Sequence, residues 1–300
     1  MEVNLELRMP RIFSRLVPRR FRGSRVEIPV VRLHGTITAE GGGLFRPAPL
    51  SLASVAAVLD KAFSDKSAPA VALSVNSPGG SPVQARLIFR RIRDLAEEKN
   101  KKVYVFVEDL AASGGYMIAL AGDEIVADPS SIVGSIGVVS AGFGFEELIK
   151  KVGVERRVFT SGRNKMMLDP FLPEKKEDVE HLKTLQEEVH QVFIDMVKAR
   201  RGAKLSDDPD LFTGMFWTGI KGQSLGLVDA LGDMRSFLRK EYGPKTELNL
   251  IEGSRGMLGL RSTPAAGLHK PDALAQAAAG AAEGLLTAVE QKALWSRYGL

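Results

Sequence analysis

The sequence predicts an α/β protein whose strands are joined by crossover helices. Three observations carry this reading. Short continuous apolar runs of strand length are closed by turn residues. Longer segments of helical spacing, several opening on a capping serine or on Pro, lie between them. The two kinds of segment alternate along the first half of the chain, the pattern of strand, crossover and parallel strand. At 300 residues the chain can bury a full core, and 44% hydrophobic with 26% charged residues is ordinary for a globular protein.

The elements follow in order. "VEIPVVRLHG" (26–35) is a buried strand closed by glycine, and the Gly- and Pro-rich "AEGGGLFRPAPL" after it is a loop. "SLASVAAVLDKAFSD" (51–65) is a helix capped by Ser51. "AVALSV" (70–75) is a strand ending in the turn "NSPGG". The following helix is capped by Ser81, with Pro82 at its first position, where a missing N–H costs nothing. "KVYVFV" (102–107) is a strand, "EDLAASGG" (108–115) a second glycine-rich turn, "SGGYMIALAG" a helix start and "DEIVAD" a short strand.

Beyond these, "GSIGVVS" (134–140) is strand or turn, "GFEELIKKVG" a short amphipathic helix, "VERRVF" (154–159) a strand and "TSGRNK" a polar turn. Residues 174–201 form the longest helix, acidic at its start and basic at its end, as the helix dipole favours. Leu182, Leu185, Val189, Val192, Phe193, Met196 and Val197 make its apolar stripe. Turns and short helices lead to a last strand, "TELNLI" (246–251). From Gly253 the composition shifts to a linker and an alanine-rich helix. The expected organisation is a basic arm (1–25), one domain (26–252) and a tail (253–300).

Composition excludes several functions. Without cysteine there are no disulfides, thiolate nucleophiles or cysteine-ligated metals. The four histidines show no HExxH or HxxxH spacing. Seven arginines against two glutamates in residues 1–25 account for the whole net charge of +5. The body is therefore neutral, without the basic excess of a nucleic-acid binder. The arm interleaves its arginines with Ile12, Phe13, Leu16, Val17 and Phe21, which reads either as a peripheral contact with an anionic membrane or as a solvated tail. No run approaches the roughly 18 apolar residues of a membrane span, and no secretory signal is found, so a cytoplasmic location is expected.

Two glycine-rich turns after successive strands carry the chemistry. In a crossover sheet both turns lie at the same edge, where backbone N–H groups face outward and suit a developing oxyanion. Ser113 then stands at a helix N-terminus. It reads either as a cap or as a nucleophile, and bulk at Gly79 or Gly114 would obstruct a substrate chain. A nucleophilic serine needs a base. His181 and His190 lie within the long helix, so a Ser-His-Asp triad has little support. Lys165 follows a turn and precedes Met166, Met167, Leu168 and Phe171. Burial among these would disfavour its charged form and bring it toward the working range of a base.

"NSPGGS" (76–81), "AASGGYMIALAGDEIVADPSSIVGSIGV" (111–138) and "SGRNKMMLDPF" (161–171) together resemble the signal peptide peptidase A family of serine peptidases, within the ClpP/crotonase-like superfamily. The resemblance runs from about residue 26 to about 250. It implies a ClpP/crotonase-like fold of repeated β-β-α units and a serine endopeptidase of hydrophobic or unfolded peptides, needing no metal or cofactor. It implies Ser113 as nucleophile, Lys165 as general base, and Gly79 and Gly114 as oxyanion-hole donors. It implies that the hydroxyl of Ser135 orients the lysine, and a homo-oligomer in which serine and lysine can come from neighbouring subunits. The chain departs from the family in having no N-terminal membrane helix and in its alanine-rich tail. A crotonase-like acyl-CoA enzyme with Glu108 as acid or base, and a non-catalytic scaffold for peptides or membranes, are the alternatives.

Overall fold

The computed structural model describes residues 26–39, 49–252, 289 and 292–300. The arm (1–25) and most of the alanine-rich tail lie outside the described residues. Eight strands form one sheet: β1 (Glu27–His34), β2 (Ala70–Ser77), β3 (Lys102–Ala112), β4 (Glu124–Ala127), β5 (Ile132–Gly134), β6 (Phe216–Thr218), β7 (Ala230–Leu231) and β8 (Glu247–Leu250). The order across the sheet is β6-β5-β3-β2-β1-β8, with β4 pairing β3 and β7. Every pair is parallel except β5 with β6. Helices α1 (Leu52–Ser64) and α2 (Pro82–Lys99) make the first crossovers, and α3 (Gly114–Ala119) leads from β3 toward β4. The predicted α/β class holds.

Local sequence explains the helix starts. Ser51 and Ser54 form a reciprocal capping box on α1. The Ser81 hydroxyl accepts from Gln84 N–H with Pro82 in the first turn of α2. Asn100 closes α2 in the left-handed conformation, donating its N–H to the last carbonyls.

The sheet is buried on both faces. On one, Val31, Leu33, Val71, Leu73, Val103 and Val105 pack against α1, α2, α3 and the carboxyl end of α5 (Lys176–Arg201). On the other, Ile28, Val30, Ala70, Ala72, Tyr104 and Phe106 pack against α7 (Met234–Tyr242). Such strands read as continuous apolar runs because both faces are covered.

Three expectations change. "EDLAASGG" is not a turn throughout: β3 runs on to Ala112. Its first half pairs with β4 and its end with β5, and its register against β2 shifts between Val75 and Ser77. The chain turns only at Ser113. "VERRVF" is not a strand; it pairs with nothing among the described residues, and Phe159 is 93% exposed. The stripe of α5 is buried only toward its end, at Phe193 and Val197, while Leu185 and Val192 are exposed. Residues 138–172, including α4 (Glu146–Lys151), form an arm that buries none of the α4 side chains. It is held by its own contacts: Phe145 against Phe143 and Phe171, Arg156 paired with Asp169, and Leu168 N–H on Asp178 at 3.1 Å.

Candidate active site

Ser113 is the residue at which β3 becomes α3. Its backbone has φ 53° and ψ −123°, a conformation uncommon for a residue with a side chain, and its hydroxyl makes no capping hydrogen bond. The sequence left cap and nucleophile open; the helix is not capped by this side chain. Such strain is found where a surrounding framework imposes it, and the framework is visible. Ser113 N–H donates to Gly134 O at 2.9 Å, and Ser113 O accepts from Tyr116 N–H and Met117 N–H at 2.9 and 3.0 Å. Tyr116, fully buried, donates its hydroxyl to Leu227 O at 2.8 Å and anchors α3; burial pushes its phenol pKa well up, so it stays a donor.

The two glycine turns meet at this serine. Gly79 has φ 100°, and a Cβ there would lie 2.8 Å from Gly114 N and from Ser113 Cβ and 3.0 Å from Ala112 O. Gly115 is equally constrained, since a Cβ would lie 2.4 Å from Ser77 O. The first N–H groups of a helix have no partner within it, so the start of α3 offers donors beside the Ser113 side chain. The Gly79 N–H is engaged in the resting structure, donating to the buried Ser77 hydroxyl at 3.2 Å. Ser77 was not singled out by the sequence reading. Its only signal is its position just before "PGG".

Ser135 lies close by along the sheet. Gly134 pairs with Ala112, and Ser135 has φ 53°, donates its N–H to Met215 O at 2.7 Å and is 6% exposed. The His190 ring contacts Ile136 O at 2.9 Å and helps hold the same loop, a packing role consistent with its place in α5. The structure thus brings Ser113, Gly79 and Gly114 together, with Ser135 one residue from the carbonyl that fixes Ser113.

Lys165 is not brought to them. It sits on the arm, exposed, and among the described residues its side chain makes no hydrogen bond to Ser113 or Ser135. The expected burial among Met166, Met167, Leu168 and Phe171 is absent in the single chain, where Met166 and Met167 are half-buried and Leu168 is exposed. The reason is the arm itself, whose apolar side chains Val139, Phe143, Val152, Val154 and Phe159 find no cover.

Glu108 points elsewhere. It accepts from Ser74 Oγ at 2.5 Å, beside His34, on the sheet face that carries Ala72, Tyr104 and Phe106. Helix α3 packs on the opposite face. Burial holds the His34 ring below its ordinary pKa against the raising effect of Glu108, so this cluster carries a neutral imidazole near pH 7.

A parallel sheet whose carboxyl edge presents a strained serine at a helix start, backed by a second glycine turn, defines an acyl-transfer scaffold of the ClpP/crotonase type. The model of peptidase family S49 matches residues 96–242, which include Ser113, Ser135 and Lys165. A putative protease of Methanocaldococcus jannaschii is 32% identical over 234 residues, covering 74% of this chain and 72% of that protein. The chloroplastic serine protease SPPA of Arabidopsis thaliana is 32% identical over 216 residues, 71% of this chain and 31% of that protein. The chain belongs to peptidase family S49, the family of signal peptide peptidase A. Two Brucella proteins, from B. abortus and B. melitensis, are each 65% identical over 298 residues and carry the name Na(+)/H(+) antiporter NhaA. The chain spans 40% of the length of these two relatives. No described helix is long and apolar enough to cross a membrane, so the antiporter name has no counterpart among the described residues.

Proposed function

We propose that this chain is a serine endopeptidase acting on hydrophobic or unfolded peptides through a Ser–Lys dyad. The observation that carries the reading is the uncapped hydroxyl of Ser113, held at positive φ against Gly79 and Gly114. A capping serine would spend its oxygen on the helix; this one leaves it available.

In this mechanism neutral Lys165 takes the proton of Ser113 Oγ as the oxygen attacks the scissile carbonyl. The N–H groups of Gly79 and Gly114 receive the oxyanion, that of Gly79 exchanging the Ser77 hydroxyl for the charged acceptor, which makes the stronger hydrogen bond. The lysine returns the proton to the leaving amine, giving an acyl-enzyme that water releases. Ser135 orients the lysine. Because Lys165 is exposed on an arm rich in uncovered apolar side chains, the lysine comes from a second copy of the chain, whose surface covers the arm and desolvates it. The basic arm, where it contributes at all, adds a peripheral contact with anionic lipid.

A serine-reactive phosphonate should label wild type and not Ser113→Ala, and Lys165→Ala should abolish turnover while the fold survives. Mixing Ser113→Ala with Lys165→Ala should restore a fraction of the activity, since each variant supplies what the other lacks. Full activity in Lys165→Ala would reject the dyad, and no recovery on mixing would reject delivery between copies.

A further inference from the structure

The described C-terminal residues Lys292–Leu300 return to the site. Residues 292–296 are helical, and the chain ends in a turn closed by Tyr298 N–H on Trp295 O at 2.9 Å and Gly299 N–H on Ser296 O at 3.1 Å. Leu294, Trp295 and Tyr298 are half-buried. The Tyr298 hydroxyl donates to Ser135 Oγ at 3.2 Å, and its ring meets the Phe216 ring edge-on at 5.0 Å. Phe216 lies opposite Gly134 in the β5–β6 ladder, and Gly134 O holds Ser113 N–H. The end of the chain therefore sits one residue from the backbone that fixes the candidate nucleophile.

The loop under it is firmly held. Ser135 N–H is bonded to Met215 O, Gly137 N–H to Ser135 O at 2.9 Å, and Ile136 O contacts the His190 ring. The tail is attached to that loop by one side-chain hydrogen bond and one ring contact, a small holding energy that reverses readily. Ser135 is nearly buried with the phenol in its hydrogen-bonding shell, so an ammonium or amine arriving at that hydroxyl must displace Tyr298.

We propose that Lys292–Leu300 is an autoinhibitory latch. Docked through Tyr298 on Ser135 and Phe216, it occupies the position from which Ser135 would orient the lysine, and its release arms the site. The latch rests on the Ser–Lys reading above.

The test uses the full chain. Tyr298→Phe removes the hydroxyl and keeps the ring; Tyr298→Ala removes both. The rate of Ser113 labelling by a phosphonate, with kcat/KM on an unstructured peptide, should rise about threefold in the first, the worth of a neutral hydrogen bond. It should rise about tenfold in the second, where the edge-to-face contact goes too. A synthetic peptide of residues 292–300 should inhibit Tyr298→Ala in trans, and the same peptide with Phe at position 298 should inhibit less. Labelling at one rate in all three proteins, or no difference between the two peptides, overturns the latch and leaves the peptidase reading standing. No labelling in any of them overturns the peptidase reading and the latch with it.

Discussion

Replacing Gly79 by alanine separates strain from contact at the oxyanion turn. Gly79 and Gly35 share a φ of 100°, so an alanine at either incurs the same backbone cost, about 1–2 kcal/mol. Around Gly35 nothing lies within 4 Å of the new methyl. Around Gly79 it would lie 2.8 Å from Gly114 N and from Ser113 Cβ and 3.0 Å from Ala112 O. These neighbours are backbone atoms and a Cβ, which cannot swing aside, so the turn or α3 must move. Overpacking of this kind costs about 1–3 kcal/mol. Gly79→Ala should therefore lower stability by about 2–4 kcal/mol and Gly35→Ala by about 1–2, read as shifts in the urea midpoint at constant slope. Activity should separate them further. Displacing Ser113 and the Gly114 N–H by a fraction of an ångström to an ångström should cut kcat/KM about 100-fold, while Gly35→Ala should leave it within about twofold. Equal activity losses in the two variants would show that the close approach of Gly79 to Ser113 has no catalytic consequence, and would refute the assignment of this turn to the site.

Other perturbations test other parts of the structure. Glu108→Gln should keep peptide hydrolysis within about threefold, because its carboxylate hydrogen-bonds Ser74 on the sheet face away from α3; a loss beyond 100-fold would restore the acyl-CoA reading. Phe159→Glu should leave the urea midpoint within about 0.5 kcal/mol while lowering both the assembled mass in sedimentation and the activity, since a 93% exposed phenylalanine stabilises nothing within one chain; unchanged mass and activity would remove the arm as an interface. Asp229 is pushed up by burial but held below the ordinary aspartate range by hydrogen bonds from Arg201, Lys204 and Ile125 N–H. Its contribution is therefore complete above the usual aspartate pKa near 3.9 and is lost as pH falls through the lower folded value. Asp229→Asn should flatten that acid limb and cost about 3 kcal/mol at pH 7, because the Arg201 side chain, 3% exposed, would be left without its charge partner. An acid limb as steep in the variant as in wild type would assign the acid sensitivity to other carboxylates.

Much of the fold was legible because its signals are local. Ser51, Ser81 and Pro82 mark helix starts by chemistry that operates within a few residues, and the apolar runs of β1, β2 and β3 mark strands covered on both faces. Where the reading failed, the deciding partner was distant in sequence. "EDLAA" stays extended because β5 and the shifted register of β2 pair with it, and "VERRVF" does not because no strand lies beside it. The stripe of α5 was real as a pattern, but only its last turns meet the core, and periodicity does not say which turns will.

The sequence by itself determined the strands, the caps, the two glycine turns and the residue types that peptide chemistry needs, because propensity, capping and motif spacing are properties of neighbouring residues. Only the tertiary structure decided what Ser113 does with its hydroxyl. Pairing of β3 with β5 fixes its backbone at a positive φ, contact with Gly79 leaves no room for any side chain there, and the helix it begins goes uncapped. The structure also separated Lys165 from Ser113 within one chain and brought Tyr298 to Ser135 across 163 positions. Those relations depend on how the sheet closes and on which surfaces find a partner, and no local pattern carries that information.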